Sequence, residues 1–421
     1  MIQLSHNLTY LTQCPACETD DVSGRIRFAG AVTLAEATCP ACQTTYLQTL
    51  PSGQFNRFPV TISVDGEHVR VAERGRWLVD LVLNCQADLG DSQDVSYAIS
   101  SRYGVTGTSE IILLLCLDAC YGHALMMLLN AQRHHEQPQR SVFNRPIIAV
   151  VPRSLAWLVP DYVAETWIVD GPLSALKQNL PGFDTFVNEQ LTQFKTAWFS
   201  RAHIHFDHRT TRFADFTRTQ KFDLNQFDQG AIRYVAFVLR EDRLWLRYGW
   251  ERLLHRVCGW VGLLPKTRPF WVRWQARRYR KLARHLQQIN PVIQIAITGL
   301  TTGNSAGFTD GIDDQRQIAP LTTQQELAWC ALYARSHVVV GIHGSGMLLP
   351  TSLAAGFVSL LPPDKLPHYA EDILLAHDNP IHQTLLGRFL PISTSPRQVA
   401  ALIASMLTEF PVWLAETRER T

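Results

Sequence analysis

The sequence is poor in uninterrupted apolar runs. Ile111–Leu117, seven residues, falls far short of the roughly 20 that cross a bilayer as a helix. No basic-then-apolar leader pattern follows Met1, and we expect a cytoplasmic protein, at most peripheral at the inner membrane face. Charge is scarce and nearly balanced, with 18% charged residues and a net charge of +2. That balance excludes a bulk polyanion partner for the chain as a whole. There is no internal repeat and no low-complexity tract, which leaves an ordinary globular chain. At 421 residues it is too long for one small core, so two or three domains are expected.

Cysteine is sparse and clustered. Four of the nine form two copies of Cys-Pro-Ala-Cys, Cys14 with Cys17 and Cys39 with Cys42. Two such pairs about twenty residues apart are the pattern of a zinc ribbon, in which each pair makes a tight knuckle and four thiolates complete a tetrahedron. A redox site needs only one pair, and a cytosolic chain disfavours disulfides. We therefore expect structural Zn2+ with no open coordination position, hence no catalytic role. Cys85, Cys116, Cys120, Cys258 and Cys330 read mostly as small core residues.

Residues 1–55 read as the ribbon. Residues 56–108 alternate in polarity around Asp65-Gly66, a hairpin signal, and read as a β-rich connecting region. The α/β rhythm starts near Glu110 with "EIILLLCLD", followed by "RPIIAVVP", "ETWIVDG" and "AHIHFDH" as further strands. A second α/β block opens with "IRYVAFVLRED" and continues through "PVIQIAITGL", the helix "LTTQQELAWCALYARS" with its Thr capping pattern, and "HVVVGIHGSGMLLPTSLAAGFVSLLP". Domains are expected at 109–230 and 231–395, with a C-terminal amphipathic helix in 396–421.

Three stretches carry residues suited to chemistry. In "HVVVGIHGSGM" a buried strand runs into His343, Gly344, Ser345 and Gly346, and a helix is expected over Met347–Ala355. Glycines let a ligand approach the backbone, and helix N–H groups suit a phosphate; a packed turn is the plain alternative. Arg240 and Arg243 follow the strand at "LREDR", where ligands of open α/β sheets bind. Arginine suits phosphate, although a surface ion cluster fits the same residues. Glu326, on the helix before the His-Gly-Ser-Gly strand, either accepts from ribose hydroxyls or is solvated. In "LDACYGHA", Asp118 and His123 follow another buried strand; His123 is a candidate base oriented by Asp118, or simply a helix cap.

One region nearly lacks acids. From Arg243 to Arg284 there are twelve Lys or Arg, five Trp and one acidic residue, Glu251. Three readings fit: an insertion packed on the protein with a solvated basic face, a membrane-interface segment, and a single-stranded nucleic-acid site. The last is the least favoured.

Together "YARSHVVVGIHGSGMLLPTSLAAGFVSLLP", "YGHALMMLL" and "VAFVLREDR" resemble, in order, the signatures of glycosyltransferase family 61 and related GT-B enzymes, over roughly residues 110–400. The resemblance implies two Rossmann-like domains facing a cleft, preceded here by the small β zinc ribbon. The C-terminal domain would take a nucleotide-sugar donor and the N-terminal one a glycan, lipid-linked or protein acceptor. His343, Gly344, Ser345 and Gly346 would hold the donor diphosphate with Arg240 assisting, without an obligatory catalytic metal. His123 or Asp118 would deprotonate the acceptor. The acidic residue that relatives often carry shortly after the histidine is absent; Met126, Met127 and Asn130 stand there. The implied function is hexosyl or pentosyl transfer in cell-surface polysaccharide biosynthesis. The alternatives are a non-catalytic glycan- or nucleotide-binding protein of the same fold and a zinc-ribbon nucleic-acid-binding protein.

Overall fold

The computed structural model describes residues 1–421 except 5–6, 87–94, 106, 137–144, 304–307, 309–310, 372, 375–383 and 419–421. The chain divides into two compact units, Met1–Phe206 and Asp207–Thr421, where the sequence reading set a boundary at 230–231. The difference has a packing cause. Phe222 and Phe227 lie before that boundary, yet both belong to the core of the second unit.

The first unit opens with β1 (Ile2–Leu4). Six strands then form one antiparallel sheet in chain order: β2 (Thr9–Thr12), β3 (Val22–Phe28), β4 (Thr33–Thr38), β5 (Thr45–Thr49), β6 (Thr61–Ser63) and β7 (Val69–Arg70). The ribbon and the expected hairpin are thus one sheet, because β6 pairs with β5 across the 55–56 boundary. The hairpin itself forms at Asp65-Gly66, with Gly66 at φ 79°. Helix α1 (Val79–Asn84) follows.

A second sheet uses β8 (Ser96–Ser101), β9 (Glu110–Leu115), β10 (Ile147–Pro152), β11 (Glu165–Asp170) and β12 (Thr196–Phe199), with helices α2 (Tyr121–Leu128), α3 (Asn130–His135) and α4 (Phe183–Leu191) between them. Its order is β1-β12-β9-β10-β11-β8. The four inner strands are parallel; β1 and β8 are antiparallel edges. β10 is buried along its whole length and β9 along nearly all of it, as expected of continuous apolar strands covered on both faces. The strand expected at "AHIHFDH" is not one. The pairing strand is β12, just upstream, and polar groups of the next segment go to side chains instead: Asn56 Nδ2 lies 2.7 Å from His203 Nδ1, and Asn130 Nδ2 donates to the His203 carbonyl at 2.8 Å.

The second unit contains α5 (Phe213–Thr217), β13 (Arg233–Val238), α6 (Gly249–Trp260), α7 (Leu264–Ile289), β14 (Ile293–Thr298), β15 (Ile312–Asp314), α8 (Thr323–Ala334), β16 (Val338–Ile342), α9 (Leu348–Leu353), β17 (Gly356–Leu361), β18 (Gly387–Pro391) and α10 (Pro396–Arg418). Its sheet is wholly parallel, in the order β15-β14-β13-β16-β17-β18. The segment read as a basic insertion is in part the crossover helix from β13 to β14. Tyr279, Leu282, Ala283 and Leu286 of α7 lie in the sheet's core, and most of the helix's basic residues lie on its outer face.

The expected C-terminal helix is present as Pro396–Arg418. Pro396–Glu416 is long and apolar enough to cross a membrane by length and composition. Its Val399, Ile403, Met406 and Phe410 nevertheless pack into the core of the second unit.

Candidate functional site

Each unit carries a topological switch point, the place where successive crossovers leave a central strand in opposite directions and open a crevice at the strands' carboxyl ends. In the second unit the chain runs from β13 to β14 and β15 on one side, then returns to β16, β17 and β18 on the other. The switch point lies between β13 and β16. Leu239–Arg243 leaves the first of these strands and His343–Gly346 leaves the second, so these sequence candidates are brought together.

The contact is close. Arg243 Nη1 donates to the His343 carbonyl at 3.0 Å. Gly344 has φ 147°, and a Cβ there would fall 1.1 Å from Arg243 Nη1. A Cβ on Gly346 would fall 2.9 Å from Arg240 Cδ. A side chain on either glycine would therefore displace an arginine from its place against the turn, a relation the sequence pattern did not reveal. Arg240 also forms a fork with Asp242, Nε to Oδ1 at 2.9 Å and Nη2 to Oδ2 at 2.6 Å. Burial works against the charge of Asp242, but the Arg240 bonds more than offset it and hold the carboxyl below its usual value. The ion-cluster reading of Arg240 holds: Asp242 orients its fork beside the glycine turn.

One expectation is corrected here, that of the helix. The imidazole of His343 is buried, 1% exposed, with Nδ1 2.9 Å from Ser359 Oγ and its ring edge-on to Phe389. It anchors the turn to β17, and its carbonyl, not its ring, faces Arg243. The expected helix over Met347–Ala355 is a short 3-10 turn, Ser345–Met347, followed by the six residues of α9. So short a helix has a weak dipole.

Glu326 lies in the first turn of α8, which is capped by Thr322 and Gln325. Burial pushes its carboxyl up to about 7. Cys330 and Tyr333 follow one and two turns on, and the Tyr333 hydroxyl lies 2.7 Å from Oγ1 of Thr298, the last residue of β14. Among the described residues no ion pair joins Glu326 to the arginines. A carboxyl with a raised folded pKa binds more protons folded than unfolded between the two values, so stability falls as pH rises from about 4.5 to 7. Glu326→Gln is expected to raise stability at pH 8 by on the order of 1 kcal/mol, and with it the melting temperature, and to leave both nearly unchanged at pH 4.5. Melting curves at the two pH values check this; a loss of stability at pH 8 would contradict it.

Sequence reasoning missed Glu241. It is 4% exposed and accepts from Thr301 Oγ1 at 2.7 Å, Thr302 Oγ1 at 2.7 Å and Thr302 N at 3.0 Å. It ties the loop after β14 to the segment that carries Arg240 and Arg243. The only signal was its place inside "LREDR".

The first unit has its own switch point, between β9 and β12. Asp118 and His123 follow β9. Asp118 Oδ2 lies 3.3 Å from His123 Nδ1, and Asp118 Oδ1 accepts the Cys120 N–H at 2.7 Å. His123 Nε2 lies 3.3 Å from Gln54 Nε2. An amide nitrogen only donates, so with Nδ1–H donating to the Asp118 carboxylate, Nε2 is left as the acceptor. That is the tautomer a general base needs. The pair borders a pocket of about 230 Å³ whose walls include Gln54, Phe55, Trp77, Leu81 and Met127. Gln54 was not legible, because 69 residues separate it from His123.

The four ribbon cysteines come together at the knuckles before β3 and β5. All four sulfurs lie within 4.8 Å of one another; Cys14–Cys42 is 3.6 Å and Cys17–Cys39 is 3.5 Å. A tetrahedron with Zn–S bonds of about 2.3 Å has sulfurs about 3.8 Å apart. The knuckles share one geometry. The N–H of Glu18 bonds to the Cys14 carbonyl and that of Gln43 to the Cys39 carbonyl, with φ of 64° and 61°. Hydrogen bonds from Thr19 and Thr44 lower the thiol pKa values of Cys17 and Cys42. The donor set fits a structural zinc ion.

The protein is thus a mixed α/β chain with two switch-point sheets and an N-terminal four-cysteine ribbon. No family model matches it, and no curated protein matches it. Among solved structures it is similar to the Escherichia coli ADP-heptose lipopolysaccharide heptosyltransferase II, at 13% identity and TM-score 0.38, over 72% of this chain and all of that one. It is also similar to a family 9 glycosyl transferase from Veillonella parvula, at 10% identity and TM-score 0.36, over 71% of this chain and 97% of that one. A UDP-forming trehalose-phosphate synthase from Burkholderia xenovorans follows, at 11% identity and TM-score 0.23, over 71% of this chain and 66% of that one. These neighbours are a heptosyltransferase, a family 9 glycosyl transferase and a trehalose-phosphate synthase, and do not single out family 61. Likenesses of this size carry no weight for activity, which rests on the site.

Proposed function

We propose that the protein is a GT-B-type glycosyltransferase that moves a hexose or pentose from a nucleotide-sugar donor to a hydroxyl of a glycan, lipid-linked or protein acceptor. One observation carries the reading: two arginines lie against a glycine turn at the switch point of a wholly parallel sheet. Leaving of a nucleoside diphosphate builds negative charge, and preorganised guanidinium groups neutralise it without a metal. In this reading Arg240 and Arg243 bind the diphosphate, the Gly344–Gly346 backbone lets it approach, and Glu326 meets the nucleoside. His123, oriented by Asp118, takes the acceptor's proton at Nε2. The oxygen then forms the new bond to the anomeric carbon as the bond to the diphosphate breaks. Cell-surface polysaccharide synthesis at the cytoplasmic face suits such an enzyme.

The test is turnover of labelled nucleotide sugars with a mixture of glycan acceptors. His123→Ala is expected to lower turnover by about 10²–10⁴-fold while donor affinity stays unchanged. Donor binding with no transfer by the wild type would instead leave a nucleotide-binding protein of this fold.

A further inference from the structure

Helix α6 is built the wrong way round for a soluble surface. Its buried face holds Glu251, fully buried and ion-paired with Arg278. Glu251 also accepts from Trp274 Nε1 at 2.8 Å and from the Tyr248 N–H at 3.1 Å. Its outer face carries Trp250, Leu253, Leu254, Val257 and Val261, with Trp260 at the flank, and all six are exposed, Trp260 by 76%. The first five are spaced i, i+3, i+4, i+7 and i+11, one stripe of a helix. A single exposed leucine needs no explanation, but a continuous apolar stripe marks a contact surface.

The stripe is bordered by positive charge. Arg256, Lys266, Arg268, Arg273, Arg277, Lys281 and Arg284 are exposed, and among the described residues none is ion-paired. Trp250 stacks on Tyr248 and meets Trp274 edge-on. Those two rings line a pocket of about 340 Å³ together with Arg277, Lys281 and Arg284. Apolar stripe, tryptophan and cationic pocket are therefore continuous.

We propose that the α6–α7 hairpin is a docking surface for an anionic phospholipid bilayer. The stripe of α6 enters the headgroup–acyl boundary, and the arginine pocket beside it takes a lipid phosphate. Charge decides the occupant. A second copy seated on the same face would bring two sets of unpaired cations together, whereas an anionic leaflet neutralises them. The proposal does not rest on the transferase reading.

The experiment is flotation of the full-length protein with vesicles of phosphatidylcholine alone or mixed with phosphatidylglycerol. Binding is expected to be at least about tenfold tighter to the anionic vesicles and to weaken as salt rises. Two variants, L253S/L254S/W260S and R256Q/K266Q/R268Q, are each expected to lose about tenfold or more at an unchanged melting temperature. Quenching of wild-type tryptophan emission by bromine-labelled acyl chains gives a readout that needs no variant. Equal binding to both vesicle types, or no loss in either variant, would overturn the proposal. So would displacement by millimolar inorganic phosphate, which would make the pocket a soluble-anion site, or a dimer in sedimentation equilibrium that the serine variant dissociates.

Discussion

Gly344→Ala is expected to remove nucleotide binding almost as completely as loss of Arg243 itself. Gly344 sits at φ 147°, and a methyl group there would coincide with the Arg243 guanidinium, 1.1 Å from Nη1. Backbone and arginine cannot both keep their places. The residue is strained wherever the methyl goes, at about 1–3 kcal/mol, and the Arg243 bond to the His343 carbonyl breaks. One charged hydrogen bond to an anion is worth about 1.5–3 kcal/mol, so nucleotide affinity should fall about 10–100-fold. Calorimetric titration of Gly344→Ala and Arg243→Ala checks this. Unchanged affinity in the glycine variant with a native circular dichroism spectrum would mean that the arginine's seat on the turn is irrelevant to binding.

The second large effect belongs to the ribbon. Cys39→Ser should release one zinc ion per chain and lower the melting temperature of the first unit by about 10 °C or more. The cluster that holds Cys14, Cys39, Val22, Ala37 and Tyr46 is small, and a metal bound only by the folded form supplies what so few apolar side chains cannot. The loss should not stay local. Leu47 and Ile62 belong to the same sheet's larger cluster, and that sheet also leads to Gln54, which touches His123. Elemental analysis and melting curves of the wild type and variant decide the matter. Full stability with no bound metal would contradict a structural role.

The parts of the fold that declare themselves locally were legible. Two Cys-Pro-Ala-Cys knuckles, the Thr322 cap, and the apolar strands β9, β10 and β16 each follow from a few adjacent residues. The candidate site was legible only as far as its residue types. Arg240, Arg243 and the glycines could be named, because each follows a strand, but the reason for the glycines is an arginine about one hundred residues away. His343 looked like a ligand because histidine beside glycine so often is; its burial depends on Ser359 and Phe389, which no local pattern ties to it. The alternation of "AHIHFDH" mimicked a strand, but its polar groups are claimed by Asn56 and Asn130. The basic stretch looked like one insertion because charge hides periodicity; its inner face is the apolar stripe of a crossover helix.

The central claim is that Arg240, Arg243 and the Gly344–Gly346 turn form a nucleotide-diphosphate site. It is tested most directly by melting the wild type, Arg240→Ala and Arg243→Ala with UDP, GDP, CMP and their sugars. A ligand that binds only the folded form at about 100 times its Kd adds about 2.7 kcal/mol, or about 5–10 °C for a unit of this size. Such a rise is expected with one nucleotide series in the wild type, and its loss in both variants. No rise with any nucleotide, or a rise that both variants keep, would contradict it.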